Sequence, residues 1–218
     1  MELLAVLSGS CLVFTLAMFC AGLSDLRKMF STKSTDNIQF LPFLTTDLNN
    51  LGWLYYGYMK NDWTLMIVNS TGASLQTIYI LTYYFFTPEK CSVLLKTLLS
   101  LGVLVLGYCY FYFRIPDVDT RLNQLGLFCS IFTISMYLSP LADLAKIIQT
   151  RSTKCLSLPL AVATFLASTS WVLYGWQLAD AYIMVPNFPG IVTSILRFWL
   201  FWQYSSEQDT YSYKSLYA

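Results

Sequence analysis

Histidine is absent from this chain. That removes the commonest metal ligand and the commonest general base and proton shuttle together. Charge is scarce as well: 11% of residues are Asp, Glu, Lys or Arg, against about 25% in an ordinary soluble domain. The 13 basic and 12 acidic residues nearly cancel, so nothing points to a nucleic-acid partner. Six cysteines, at 11, 20, 91, 109, 129 and 155, are scattered without metal-ligand spacing or a disulfide framework. No metal cluster, cofactor motif or nucleophile–base pair is visible, so the chain is expected to be no enzyme, with no cofactor and no metal. The first apolar run has no Lys or Arg before Arg27. It therefore lacks the basic start of a cleaved signal peptide and is expected to be a membrane helix.

What the chain has instead is apolar length. Hydrophobic residues make up 56% of it. The charges gather in short segments between apolar runs of about 20 residues, long enough to cross roughly 30 Å of hydrocarbon. The pattern predicts seven helices, at 4–26, 38–58, 63–86, 92–113, 122–146, 155–177 and 181–204. The connections leave no room for a soluble domain. Loops after the first, third and fifth helices carry Arg27, Lys28, Lys33, Lys90, Lys96, Lys146, Arg151 and Lys154. The opposite loops carry Lys60, Arg114 and Arg121 among Asp62, Asp117, Asp119 and Asp180. Cytoplasmic loops collect basic residues, so the N-terminus is expected outside or in the lumen, and the C-terminus in the cytoplasm.

The chain also contains a copy of itself. A shift of 118 positions carries Trp53 onto Trp171, Asp25 onto Asp143, Asn69 onto Asn187 and Gly72 onto Gly190. Between Asp25 and Gly72, 15 of 48 positions are identical without a gap. Each copy holds three helices, an odd number, so a direct fusion would insert the second copy upside down. The fourth helix restores its orientation. The expected fold is all-α and integral to the membrane: two parallel three-helix bundles joined by a linker helix. The segments are 1–90, 91–116, 117–205 and a polar tail, 206–218. Repeats of this kind place a substrate site where the copies meet, as in membrane transporters.

Several residues stand out within the spans. Asn69 and Asn187 lie about six residues, or roughly 9 Å, from the outer ends of the third and seventh helices. A carboxamide both donates and accepts, which suits hydroxyl groups. The alternative is a hydrogen bond to a neighbouring helix. The Asn69-Ser70-Thr71 sequon is not read as a glycosylation site, because it lies inside a span. Trp53 and Trp171 could lie flat on a sugar ring or belong to the interfacial aromatic belt. Pro42, Pro140 and Pro159, near the cytoplasmic side, suit either hinges or static kinks. Asp25 with Lys28, and Asp143 with Lys146, could close an inner gate across the copies or be local i,i+3 pairs. Asp47 and Arg197 are the deepest charges, and burial of charge predicts that they pair. Asp47 is also the one candidate for proton coupling.

These residues resemble the SWEET sugar transporters, the MtN3/saliva family, themselves an example of parallel-repeat transporters. The motifs are Lys33-Ser34-Thr35, Gln39 to Pro42, Trp53 to Gly57 and Asn69 to Ala73, then Ser139-Pro140, Arg151 to Thr153, Trp171 to Gly175 and Asn187. The resemblance covers roughly residues 2–205 and is strongest to the vertebrate members. It implies MtN3 (PQ-loop-like) bundles and passive, bidirectional uniport of a sugar, glucose foremost, by alternating access. It implies that Asn69, Asn187, Trp53 and Trp171 bind the sugar and that Pro42, Pro140 and Pro159 are hinges. Two tryptophans are expected to favour a monosaccharide. Gly22 departs from the four-proline pattern of the family. Homo-oligomers in the Golgi and plasma membrane are also implied. The tail from Ser205 is expected to lack regular structure, and Tyr213 to Leu216 reads as a signal for a sorting adaptor. Two rivals stay open: a proton-coupled solute exporter of the PQ-loop class, and a seven-helix cargo receptor.

Overall fold

The computed structural model describes residues 2–137, 141, 144–145, 147–149 and 157–216, the side chains of Ala21 and of 205–216 excepted. Every regular element among them is helical. Helix α1 (Glu2–Phe19) passes through a 3-10 turn (Cys20–Gly22) into α2 (Leu23–Thr32). Then come α3 (Phe40–Lys60), α4 (Trp63–Phe86), α5 (Lys90–Arg114), α6 (Val118–Met136) and α7 (Leu158–Gln177). A short α8 (Ala181–Met184) leads through a second 3-10 turn (Val185–Asn187) into α9 (Phe188–Leu216).

Four of these stretches are long and apolar enough to cross a membrane: Glu2–Thr32, Lys90–Arg114, Leu158–Gln177 and Ala181–Tyr204. Helices α3 and α4 are more polar because they carry Asp47, Asn50, Asn69 and Gln76, all buried. The order is three helices, one linker and three helices. Val93 is the buried residue of the linker α5, while Leu95, Leu99, Val103, Leu106 and Phe113 are exposed. Such an all-round apolar surface suits lipid rather than a protein core.

The helix ends differ from the sequence expectation in three places, each with a local cause. The first membrane helix runs to Thr32, where Lys33 turns left-handed (φ 52°). The charges at Asp25, Arg27 and Lys28 do not stop it, because charged residues are tolerated on an exposed helix surface. The last span breaks at Val185–Asn187, where Pro186 supplies no backbone N–H. It then continues as helix through Leu216 rather than ending in an irregular tail. No glycine or proline follows Gly190, so nothing interrupts propagation once the helix has started.

The chain forms two compact units. One is Cys11–Phe132 and the other combines Met1–Ser10 with Thr133–Ala218. In the first, Met29, Ile38, Phe40, Phe43, Leu44, Tyr79, Ile80 and Val93 make a buried core. In the second, Leu144, Ile147 and Leu200 pack together against Tyr204.

The two units close their helix crossings in the same way. A Cβ at Gly72 would lie 2.6 Å from Asn50 Nδ2 and 2.7 Å from the Phe19 ring. At Gly190 it would collide with Ser168 Oγ and lie 2.6 Å from Tyr137 Oη. Shifting Phe19, Asn50 and Gly72 by 118 positions gives Tyr137, Ser168 and Gly190. Small residues that let helices approach closely are what membrane packing requires. Gly72→Leu and Gly190→Leu are therefore expected to abolish monodisperse protein on size-exclusion chromatography in detergent. Gly102→Leu and Gly107→Leu, which meet open space, are expected to leave the elution profile and thermal midpoint unchanged.

Candidate substrate site

The C-terminal ends of α3 and α7 build one corner twice. Helix α3 ends at Asn61 in the left-handed region (φ 55°), and Ala179 does the same after α7 (φ 52°). The next residue is an aspartate in each case. Asp62 N donates to Gly57 O at 2.9 Å, and Asp180 N to Gly175 O at 2.8 Å. Each carboxylate then caps the following helix. Asp62 accepts from Leu65 N at 3.0 Å, and Asp180 from Tyr182 N at 2.9 Å and Ile183 N at 3.3 Å. The corner is tight: a Cβ at Gly57 would lie 2.7 Å from Leu65 Cβ, and one at Gly175 2.8 Å from Met184 N.

One turn further on stand the asparagines. Asn69 Nδ2 donates to Leu65 O at 2.8 Å, and Asn187 Nδ2 to Ile183 O at 2.8 Å. A carbonyl acceptor requires the amide nitrogen on that side, so the bond fixes which way each carboxamide faces. It uses one N–H of each amide and leaves the second N–H and the Oδ1 outside that bond. Asn69 is buried and Asn187 half-buried. The bond runs to the carbonyl four residues back in each asparagine's own segment, not to a neighbouring helix.

The tryptophans repeat equally closely. Trp53 meets the Tyr56 ring edge-on at 5.4 Å and 85°. Trp171 meets Tyr174 at 5.7 Å and 90°. Trp53 is 7% exposed and Trp171 8%, whereas Trp63 is 72% and Trp176 74% exposed. Trp63, Trp176 and the exposed Tyr58 therefore have the character of an interfacial belt, and the two buried indoles do not.

The other expected residues are placed as follows. Pro42 and Pro159 fall in the first turns of α3 and α7. There a helix N–H has no intrahelical acceptor, so proline starts the helix without kinking it. Asp47 is buried; its Oδ2 accepts from Thr77 Oγ1 at 3.5 Å and its Oδ1 has no hydrogen-bond partner. Arg197 Nε also lacks one. Asp47 belongs to the first unit and Arg197 to the second. Lys28 is exposed and Asp25 half-buried. Pro140, Asp143 and Lys146 lie outside the described residues, as do the side chains of Tyr213 to Leu216.

Comparison with known proteins gives a consistent result. The model of the MtN3/saliva family, described as "Sugar efflux transporter for intercellular exchange", matches residues 5–91 and 123–209. The chain belongs to this family. Among its relatives, "Sugar transporter SWEET1" of Xenopus tropicalis is 66% identical over 212 residues, 97% of this chain and 99% of that protein. "Sugar transporter SWEET1" of Homo sapiens is 65% identical over 205 residues, 94% of this chain and 93% of that one. The solved structure of a eukaryotic SWEET transporter matches with a TM-score of 0.88 at 28% identity, covering 93% of this chain and 97% of that one. The SWEET family is one of transporters, not enzymes. The match accounts for both halves of the duplication and omits the linker α5.

The break between α1 and α2 was not anticipated. Gly22 is the counterpart of Pro140 under the 118 shift, and a Cβ there would lie 2.6 Å from the Tyr79 ring. Tyr79 Oη donates to Phe19 O at 3.4 Å, across the same joint. The aromatic ring fills the space that a proline would need. The only sequence signal was the mismatch of Gly22 with Pro140 under the 118 shift.

The duplicated cap yields a direct test. An aspartate cap replaced by alanine typically costs about 1 kcal/mol. Asp62→Ala and Asp180→Ala are each expected to lower the thermal midpoint of the detergent-solubilised protein, with the Asn variants recovering most of it. Unchanged midpoints in both would show that the corners do not depend on these carboxylates.

Proposed function

We propose that this protein carries a monosaccharide, glucose foremost, across the membrane as a bidirectional uniporter working by alternating access. The observation that supports this most is the Trp–Asn arrangement, built twice with the same local bonds in a chain of the SWEET family. In this reading Asn69 and Asn187 exchange hydrogen bonds with sugar hydroxyls, and Trp53 and Trp171 cover the apolar faces of the ring. Two bulky indoles favour a monosaccharide over a disaccharide. A carrier that releases its cargo on both sides can bind weakly: millimolar affinity is only about −4 kcal/mol. That is within reach of a few hydrogen bonds and one stacked ring.

In this scheme Pro140 acts as a joint together with Pro42 and Pro159, at the helix starts where the chain enters α3 and α7, and Asp25, Lys28, Asp143 and Lys146 form the inner gate. The N-terminus faces outward or into the lumen and the tail faces the cytoplasm, with the protein distributed between Golgi and plasma membrane as a homo-oligomer. Tyr213 to Leu216 would engage a sorting adaptor. A second reading, proton-coupled export, draws support from the buried Asp47, whose Oδ1 has no partner.

Radiolabelled glucose flux into proteoliposomes, with and without a pH gradient, separates the two. Uniport predicts flux indifferent to the gradient. Asn69→Ala and Asn187→Ala are each expected to reduce it at least tenfold, the factor that about 1.4 kcal/mol represents. Flux driven by the gradient would replace uniport with proton coupling. Absent flux in folded protein would point to another solute or to a cargo receptor.

A further inference from the structure

Three of the buried side-chain atoms that lack a hydrogen-bond partner lie on adjacent turns of α3 and α4: Asp47 Oδ1, Asn50 Nδ2 and Gln76 Oε1. The three residues are 9%, 3% and 7% exposed. The packing of the two helices sets them side by side. Gly72 gives Asn50 its space, since a Cβ there would lie 2.6 Å from Asn50 Nδ2. Asp47, one turn earlier on α3, takes a hydrogen bond from Thr77, the neighbour of Gln76 on α4. Gln76 follows Asn69 by seven residues, two helical turns, and so lies on the same face of α4.

Unmet polar atoms at this depth call for an explanation, because a hydrocarbon surround offers them no partner. What they share is chemical. Two are acceptors and one is a donor, a set that matches a group able to give and take hydrogen bonds, as a hydroxyl does. The second repeat is built differently at the matching positions, although Ser194 Oγ, Thr169 Oγ1 and Arg197 Nε also lack a partner there. The 118 shift carries Asp47 to Phe165, Asn50 to Ser168 and Gln76 to Ser194. Phe165 packs edge-on against Phe198 at 5.9 Å, and Ser168 hydrogen-bonds Tyr137. The carboxylate and the two carboxamides are thus particular to the first repeat, where the second has Phe165, Ser168 and Ser194.

We propose that Asp47, Asn50 and Gln76 form a second hydroxyl-binding station in the first repeat, two helical turns along α4 from Asn69, which contacts the sugar and helps set its specificity. This rests on the sugar-transport reading above. A site built to bond a hydroxyl discriminates against the analogue that lacks it, because its own polar groups are then left unmet.

The test measures competition of a panel of monodeoxyglucoses against labelled glucose flux in proteoliposomes. Native protein is expected to discriminate about tenfold against one analogue whose missing hydroxyl serves the station. Asp47→Leu and Gln76→Leu are expected to raise the glucose KM with a smaller change in maximal flux, and to bring the discrimination for that same analogue towards one. Should the leucine variants fail to fold, Asp47→Asn and Gln76→Glu must still shift the preference among the analogues. Unchanged preferences in folded variants would overturn the proposal and leave these atoms a structural role. Native flux that follows a pH gradient, lost in Asp47→Asn, would also overturn it in favour of a proton carrier. No native sugar flux at all would instead defeat the underlying reading of function.

Discussion

Inside a bilayer a backbone N–H or C=O has no water to bond, and each one left unmet costs several kcal/mol. Helices satisfy these groups within a single segment, so a chain this apolar becomes helices and little else. The same constraint reaches the side chains. Asn69 and Asn187 spend one N–H on the carbonyl four residues back. Threonines and serines such as Thr45, Thr71, Thr164 and Ser170 do likewise with their hydroxyls. A polar side chain that keeps part of its capacity outside such a bond is then conspicuous.

Duplication lets one solution to this problem be used twice. Left-handed residue, aspartate cap, tight glycine, edge-on Trp–Tyr pair and back-bonded asparagine recur in both halves with nearly the same distances. The shared corner fixes the backbone, while side chains around it differ, Asn61 against Ala179 among them. Under the 118 shift Asp47, Asn50 and Gln76 correspond to Phe165, Ser168 and Ser194, so a carboxylate and two amides belong to the first half alone at these positions. Gly22 with Tyr79, against Pro140 with Arg197, is a second such difference. A transporter descended from a repeat need not treat its cargo alike in its two halves.

The all-helical membrane fold and its three-one-three order were legible in the sequence. Hydrophobic run length and the 118 shift both report on forces that act residue by residue along the chain. Membership of the SWEET family was legible for the same reason, in Trp53 to Gly57 and Asn69 to Ala73. Helix ends were not. Whether Asp25 to Thr32 stays helical depends on where the chain first turns left-handed, at Lys33. Pro42 and Pro159 read as hinges or static kinks inside their helices, whereas those helices start only one or two residues before them.

The sequence by itself determined which residues are polar inside apolar spans, because composition and periodicity are carried by the chain alone. Only the tertiary structure decided what those residues do with their bonds: that Asn69 is tied to Leu65, that Trp53 is buried while Trp63 is exposed, and that Asp47 Oδ1, Asn50 Nδ2 and Gln76 Oε1 are left over. A hydrogen bond is settled by distance and direction to within a fraction of an ångström. The order of residues specifies the helices that must pack, but the contact itself exists only once they have.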